Sequence, residues 1–107
     1  MTVLLGLGSN LGDRCDNMEK AIEALAGLPG TSLRRWSTVY ESNALLAADS
    51  PPMWDKPFLN AAVELSTSLK PLDLLAATQA IEKRLGRVEG GRWAPRTIDV
   101  DLLAYDD

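Results

Sequence analysis

The chain has 107 residues, of which 46% are hydrophobic and 24% charged, a length and composition that fit one compact domain with a modest core. Its 15 acidic and 11 basic residues give a formal net charge of -4, which argues against the extensive phosphate contacts of a nucleic-acid-binding protein. The absence of histidine excludes nucleophiles activated by histidine and zinc sites built on histidine.

Membrane and export signals are also missing from the sequence. No apolar run is long enough to span a bilayer, and the first residues lack the basic region of a signal peptide. Cys15 is the only cysteine, so the chain needs no oxidising compartment for an internal disulfide. We therefore expect a cytoplasmic protein with no membrane partner.

The first half of the chain predicts a strand, a helix and a second strand. Residues 2–7 form a short apolar run followed by glycine, which favours a buried strand and a turn. Asp13 is placed to cap a helix that runs through Leu28, and its apolar stripe includes Cys15 as a small core residue. Residues 31–42 are rich in Thr, Val, Trp and Tyr and predict one strand.

The second half predicts a loop, a strand, a helix and a last strand. The loop NALLAADSPPMWDKP contains three prolines, and a loop of this length in a small domain is typically mobile or functional. Residues 58–66 alternate between apolar and mixed positions, as a half-buried strand does. Pro71 suits the first turn of a helix that ends at Gly86. Residues 97–105 alternate again, with Ile98, Val100 and Leu102 on one face.

This order of elements predicts a single domain over residues 1–107 with an α+β, ferredoxin-like fold. Such a fold has a four-stranded antiparallel sheet with both helices on one face. The other face is open, and the strand periods turn Phe58, Asn60, Asp99 and Asp101 towards it. The open face and the two free sheet edges also allow self-association into a homo-oligomer.

The cluster RWAPRTIDVDLL leaves two interpretations open. Asp99 and Asp101 point the same way from one strand, so they can protect an exposed sheet edge or hold Mg2+ against phosphate oxygens. The spacing alone favours edge protection. The basic glycine-containing loop beside them, with Arg87, Arg92 and Arg96, favours a metal and phosphate site. Within that loop, a stacking role for Trp93 and a role as a structural anchor are equally supported.

The first loop, GLGSNLGDR, is a weaker signal. Its glycine spacing misses the dinucleotide-binding fingerprint, and no P-loop lysine follows, so turn formation is the better explanation of the glycines. Ser9 and Asn10 are nevertheless placed to contact a ligand at the end of the first strand.

Four segments together resemble the 6-hydroxymethyl-7,8-dihydropterin pyrophosphokinases of folate biosynthesis: GLGSNLGDR, VYES, PFLNAAVEL and RWAPRTIDVDLL. The resemblance runs from Val3 to Tyr105 and implies a ferredoxin-like core. It also implies transfer of the terminal pyrophosphoryl group of ATP, the co-substrate, to the hydroxymethyl oxygen of the pterin, which releases AMP. The partners would be these small-molecule substrates.

The resemblance further implies roles for individual residues. Asp99 and Asp101 would hold two Mg2+ ions on the triphosphate, and Arg96 and Arg87 would contact phosphates. Trp93 would belong to a loop that closes over both substrates. Adenosine would be seated by Gln79, Glu82 and the backbone near Leu102. The pterin would be bound by Phe58, Asn60, Ser42, Leu45 and the loop residues Gly8, Ser9 and Asn10.

The sequence also departs from the family pattern. Asn43 stands where family members usually carry proline, and the arginine loop is one residue shorter, with Glu89 where a basic residue often occurs. The resemblance implies a further C-terminal segment with basic and aromatic nucleotide contacts beyond the position of Asp107. Our second hypothesis is therefore a truncated, weakly active or inactive module that binds pterin or nucleotide or self-associates.

Overall fold

The computed structural model describes residues 1–44, 46, 48–86 and 97–106. Its elements in chain order are β1 (Thr2–Ser9), α1 (Arg14–Ala26), β2 (Thr31–Trp36), β3 (Tyr40–Ser42), a short 3-10 helix (Pro52–Trp54), β4 (Phe58–Thr67), α2 (Pro71–Arg84) and β5 (Asp99–Asp106). Among the described residues, no helix combines the length and the apolar character needed to cross a membrane.

The strands form one antiparallel sheet in the order β2-β4-β1-β5, and β3 pairs with β4 beyond β2. Helix α1 packs against β1, β2 and β4, and α2 packs against β5 and α1. This arrangement confirms the predicted α+β fold of the ferredoxin-like type, with β5 at one edge of the sheet.

The predicted strand over residues 31–42 is divided into β2 and β3, so the described residues form a sheet of five strands where the sequence predicted four. The division occurs at Ser37, which bonds to β4 through its side chain as well as its backbone. Its N–H donates to the Ala62 carbonyl at 2.8 Å, and its hydroxyl accepts from the Ala62 N–H at 2.8 Å. The hydroxyl thus takes the place of a backbone carbonyl and interrupts the regular ladder.

The core lies between the sheet and the two helices. Strand β4 contributes every second residue, as its alternation predicts, and α2 contributes Leu74, Thr78, Ile81 and Glu82. The buried apolar residues are Val3, Leu5, Leu7, Met18, Ala21, Leu25, Ala61, Val63, Leu65, Leu74, Ile81, Ile98 and Val100.

The predicted burial of Cys15 is wrong, because this residue is exposed. The buried residues of α1 are Met18, Ala21 and Leu25. At 3.6 residues per turn, Cys15 lies about a quarter of a turn away from the centre of that buried arc. The predicted cap of the same helix is confirmed, since an Asp13 carboxylate oxygen accepts from the Asp16 N–H at 3.1 Å.

The alternation predicted for residues 97–105 is interrupted within β5. Leu5 pairs with Leu102, but Leu4 pairs with Ala104, so Leu103 is an extra residue in the ladder. This bulge turns Tyr105 to the helix side, where it packs against the core and its hydroxyl donates to the Leu69 carbonyl. Leu102 pairs with a buried residue and is still 39% exposed, because β5 is an edge strand.

Candidate functional site

Three adjacent strands bring the predicted site residues into one row on the open sheet face. Gly8 of β1 pairs with Asn60 of β4 on one side and with Asp99 of β5 on the other. Leu7, the neighbour of Gly8 in β1, is buried against the helices, so Gly8 and its two partners face the opposite side. With strands about 4.8 Å apart, the α-carbons of Asn60 and Asp99 are separated by about 10 Å.

The carboxylate pair occupies the β5 end of this row. Asp99 is half-buried and Asp101 is exposed, and they pair with Gly8 and Gly6 respectively. As residues i and i+2 of one strand, they project to the same side about 7 Å apart. Both interact with other groups of the protein. At the partner positions in β1, the space that a side chain would occupy is taken by Leu103 over Gly6 and by Phe58 and Asn60 over Gly8.

The two carboxylates suit Mg2+, which takes some of its ligands from water and substrate, better than a metal ion whose ligands all come from the protein. Among the residues that the structure describes, no group of three or more His, Cys, Asp or Glu side chains could hold a metal ion. Mg2+ is usually bound by one or two carboxylates, with water and substrate phosphates completing its shell. Asp99 and Asp101 therefore fit Mg2+ that arrives with a phosphate ligand.

An aromatic ring and an amide occupy the β4 end of the row, where Gly8 is buried beneath them. A methyl group added at Gly8 would lie 3.3 Å from Phe58 Cδ1 and 3.5 Å from Asn60 Oδ1. The Asn60 amide nitrogen donates to Ser42 Oγ at 2.8 Å and to the Tyr40 carbonyl at 3.4 Å. Its amide orientation is therefore set by β3. Phe58 and Asn60 are both half-buried, and together they are called the pocket wall, after the pterin pocket that the sequence predicts.

Two residues predicted to contact a ligand form hydrogen bonds within the protein. Ser9 is completely buried, and its hydroxyl accepts from Asn17 Nδ2 at 3.3 Å. Asn10 is 3% exposed, and its Nδ2 donates to the Lys56 carbonyl at 3.0 Å. These contacts order the turn between β1 and α1, and a direct ligand contact of either residue stays a prediction.

The three residues predicted to seat adenosine have different environments. Gln79 and Leu102 are exposed, on α2 and β5. Glu82 is 6% exposed, and its Oε2 accepts from the Val100 N–H at 2.9 Å. Val100 lies between Asp99 and Asp101 on the edge strand. A side chain of α2 thus bonds to the backbone N–H at a position where, within the described part of the chain, no further strand pairs.

Several predicted site residues lie outside the described residues: Leu45, Arg87, Arg92, Trp93 and Arg96. The described residues on either side of 87–96 are close together, since a methyl group added at Gly86 would lie 3.9 Å from Thr97 Cγ2. The end of α2 and the approach to β5 therefore meet beside the carboxylate strand. The roles of these five side chains stay predictions.

Sequence reasoning missed Arg14, which connects three elements around the pocket wall. Its Nη1 lies 3.0 Å from Glu41 Oε2 and 3.0 Å from the Pro57 carbonyl oxygen. The partners are 27 and 43 residues away in the chain, so no local periodicity relates them. The opposite charges of Arg14 and Glu41 were the only signal, and it was not specific.

Fold and site together define an α+β domain of the ferredoxin-like type whose open sheet face carries a carboxylate pair and an aromatic–amide pocket wall in one row.

Comparison with known proteins assigns this domain to a family. The family model described as 7,8-dihydro-6-hydroxymethylpterin-pyrophosphokinase matches residues 4–106, and the chain belongs to this family. A 2-amino-4-hydroxy-6-hydroxymethyldihydropteridine pyrophosphokinase from Pseudomonas aeruginosa is 43% identical over 105 residues, which cover 98% of this chain and 62% of that protein. A protein of the same name from Aquifex aeolicus is 43% identical over 106 residues, with coverages of 99% and 62%.

Longer relatives contain the same region. A folate synthesis bifunctional protein from Chlamydia caviae is 42% identical over 106 residues, which cover 98% of this chain and 24% of that protein. The chain thus spans about three fifths of the length of the two shorter relatives, or 62%, and about a quarter of the longer one, or 24%.

Proposed function

We propose that this domain transfers the terminal pyrophosphoryl group of ATP to 6-hydroxymethyl-7,8-dihydropterin. The pterin hydroxymethyl oxygen forms a bond to the β-phosphorus, and the bond between that phosphorus and the bridging oxygen to the α-phosphate breaks. AMP leaves with the bridging oxygen, and the hydroxyl proton passes to solvent. Consumption of ATP agrees with the expected cytoplasmic location.

The observation that carries this proposal is the row of Asn60, Gly8 and Asp99 across three strands. It holds a pocket wall suited to a flat polar ring about 10 Å from a carboxylate strand suited to Mg2+ and phosphates. Ligands held by side chains at the two ends of this span extend towards each other, which would bring the pterin hydroxymethyl oxygen next to a nucleotide phosphate. Names of relatives that include pyrophosphokinase support the same reaction.

Asp99 and Asp101 would hold two Mg2+ ions. When bound, Mg2+ supplies positive charge that neutralises the triphosphate and stabilises charge developing on the transferred group. Arg96 and Arg87 would contact phosphate oxygens in bidentate fashion, and Trp93 would help to exclude water from the closed site. Gln79, Glu82 and the backbone near Leu102 would seat the adenosine.

The pterin would lie against the wall formed by Phe58 and Asn60. The ring of Phe58 offers a stacking face, and Asn60 offers Oδ1 as an acceptor while its amide donates to Ser42. Leu45 would line the same pocket, and Gly8, Ser9 and Asn10 would border it. The chain's contribution to catalysis is then mainly positioning of two substrates on one rigid sheet.

The test is production of AMP from ATP, Mg2+ and the pterin by the 107-residue chain. We expect AMP to form, and we expect Asp99→Asn and Asp101→Asn to reduce the rate at least about a hundredfold, because each removes a charge placed on the metal. Binding of both substrates without AMP would favour the hypothesis of an inactive binding module. Absence of binding to either substrate would overturn the proposal.

A further inference from the structure

Arg14, the first residue of α1, joins the two chain segments that carry the pocket wall. One nitrogen, Nη1, contacts Glu41 Oε2 in β3 and the carbonyl oxygen of Pro57, each at 3.0 Å. Pro57 immediately precedes Phe58 at the start of β4. A single guanidinium group therefore connects α1, β3 and the approach to β4.

The turn that carries Arg14 is itself held in place by side chains. Asn17 Nδ2 donates to the Leu11 carbonyl at 2.9 Å, and the Asp13 carboxylate caps the Asp16 N–H at 3.1 Å. From the same turn, Asn10 donates to the Lys56 carbonyl at 3.0 Å. Two consecutive carbonyls, those of Lys56 and Pro57, thus accept hydrogen bonds from a turn that is well ordered by its own contacts.

Both segments that Arg14 contacts lead directly to pocket residues. Pro57 precedes Phe58 by one residue, and Glu41 precedes Ser42, whose hydroxyl accepts from the Asn60 amide at 2.8 Å. A displacement of either segment would change the angle of the ring or the orientation of the amide. The contacts of Arg14 therefore act on the two groups that face the pterin.

We propose that Arg14 is a positioning residue for the pterin pocket, through its hydrogen bonds to the Pro57 carbonyl and the Glu41 carboxylate. This inference rests on the proposed function. Exposed ion pairs contribute little to the stability of a fold, and the Glu41 side chain is 56% exposed. The contacts of Arg14 therefore affect the geometry of the pocket and not the stability of the whole fold.

Pterin binding by Arg14→Ala and Arg14→Lys tests the proposal. Calorimetry with 6-hydroxymethyl-7,8-dihydropterin, Mg2+ and a non-hydrolysable ATP analogue should give a pterin Kd about tenfold weaker for Arg14→Ala, because both contacts that position the ring and the amide before the pterin binds are lost. The Kd of the ATP analogue should stay within about twofold. Arg14→Lys should lose less, since its ammonium keeps a donor. Arg34→Ala, at an exposed arginine of β2, is the matched control and should change neither Kd.

Amide hydrogen exchange provides a second readout that needs no ligand. In Arg14→Ala the amides of residues 58–60 should exchange faster, while those of residues 63–66 in the C-terminal half of β4 stay unchanged. Glu41→Ala removes one of the two contacts and should give a smaller change of the same kind, which keeps the test available if Arg14→Ala does not fold.

An unchanged pterin Kd in Arg14→Ala, or an equal loss for both ligands, would overturn the positioning role and leave the proposed function intact. Wild-type protein that binds no pterin at all would overturn the proposed function, and this inference with it.

Discussion

At the scale of single residues, Gly8 sets how closely the pocket wall approaches the carboxylate strand. It is buried beneath Phe58 and Asn60, and its pairing partner on the other side is Asp99. Because Gly8 has no side chain, the Phe58 ring and the Asn60 amide can pack against the backbone of β1. The residue therefore has a steric role in the site that needs no contact with a ligand.

Gly8→Ala should weaken pterin binding about tenfold. The added methyl group would lie 3.3 Å from Phe58 Cδ1, so the ring must shift. Overpacking of this kind costs about 1 to 3 kcal/mol. Gly6→Ala is the matched control on the same strand and face, where the methyl group would meet Leu103 Cδ1 at 3.4 Å and leave Phe58 untouched. Equal pterin affinity for Gly8→Ala and the wild type, measured by calorimetry, would contradict the steric role.

At the scale of elements, Glu82 ties α2 to the edge strand β5. The Glu82 carboxylate accepts a buried hydrogen bond from the N–H of Val100, which lies between the two aspartates. Backbone N–H groups at an edge are normally exposed to water or blocked by charged side chains. In this protein Glu82 of α2 supplies the acceptor, so β5 is hydrogen-bonded to β1 on one side and to α2 on the other.

Glu82→Leu should destabilise the fold by about 1 to 3 kcal/mol, because it leaves a buried N–H without its acceptor. Glu82→Gln retains an oxygen that can accept this hydrogen bond and should cost less. Urea unfolding of the two variants measures the difference, and faster exchange of the Val100 amide in Glu82→Leu should accompany it. Equal destabilisation by both variants would show that the carboxylate charge, and not the hydrogen bond, is what matters.

The pair of Arg35 and Glu64 joins β2 to β4 and adds a pH dependence. The distances are 2.9 Å from Arg35 Nη2 to Glu64 Oε1 and 3.3 Å from Nε to Oε2. The hydrogen bond from Arg35 lowers the pKa of Glu64 below its usual 4.5. A carboxyl group with a lowered pKa in the folded state stabilises the fold above its unfolded-state pKa and loses that contribution as the pH falls through its folded-state pKa.

Glu64→Gln should therefore be less stable than the wild type at pH 7. The difference should shrink as the pH falls below about 4.5 and through the lowered pKa of the folded state, where the Glu64 carboxyl group takes up its proton. Urea midpoints at a series of pH values provide the measurement. Glu19→Gln, at an exposed carboxylate of α1, removes the same charge and is the control. A difference that grows as the pH falls would contradict the sign derived for Glu64.

At the scale of the whole molecule, the period of two along β4 and β5 was enough to predict the open-face row. Phe58, Asn60 and Asp99 share a side of the sheet because alternation survives wherever the ladder is regular. Prediction failed where side chains or irregular pairing changed the ladder. The Ser37 hydroxyl divided the second strand, and the extra residue Leu103 turned Tyr105 towards the core.

The hydrogen bonds from Arg14 to Glu41 and Pro57 could not be predicted either, but for a different reason. It depends on how three elements pack together, and no period within any one element encodes that packing. The predicted burial of Cys15 was wrong for a reason that lies within one helix. An apolar stripe does not show which of its residues lie at the centre of the contact between α1 and the sheet. Self-association through the open face or the free edges stays a prediction.

Asp99, Gly8 and Asn60 are proposed to form one site across three strands. The most direct measurement replaces Mg2+ by paramagnetic Mn2+, bound with a non-hydrolysable ATP analogue, and follows NMR line broadening. We predict selective broadening of the Gly6 and Gly8 amides and the Asn60 side-chain amide, with loss of the effect in Asp99→Asn. Broadening centred on another part of the chain, or unaffected by Asp99→Asn, would contradict a single site shared by the three strands.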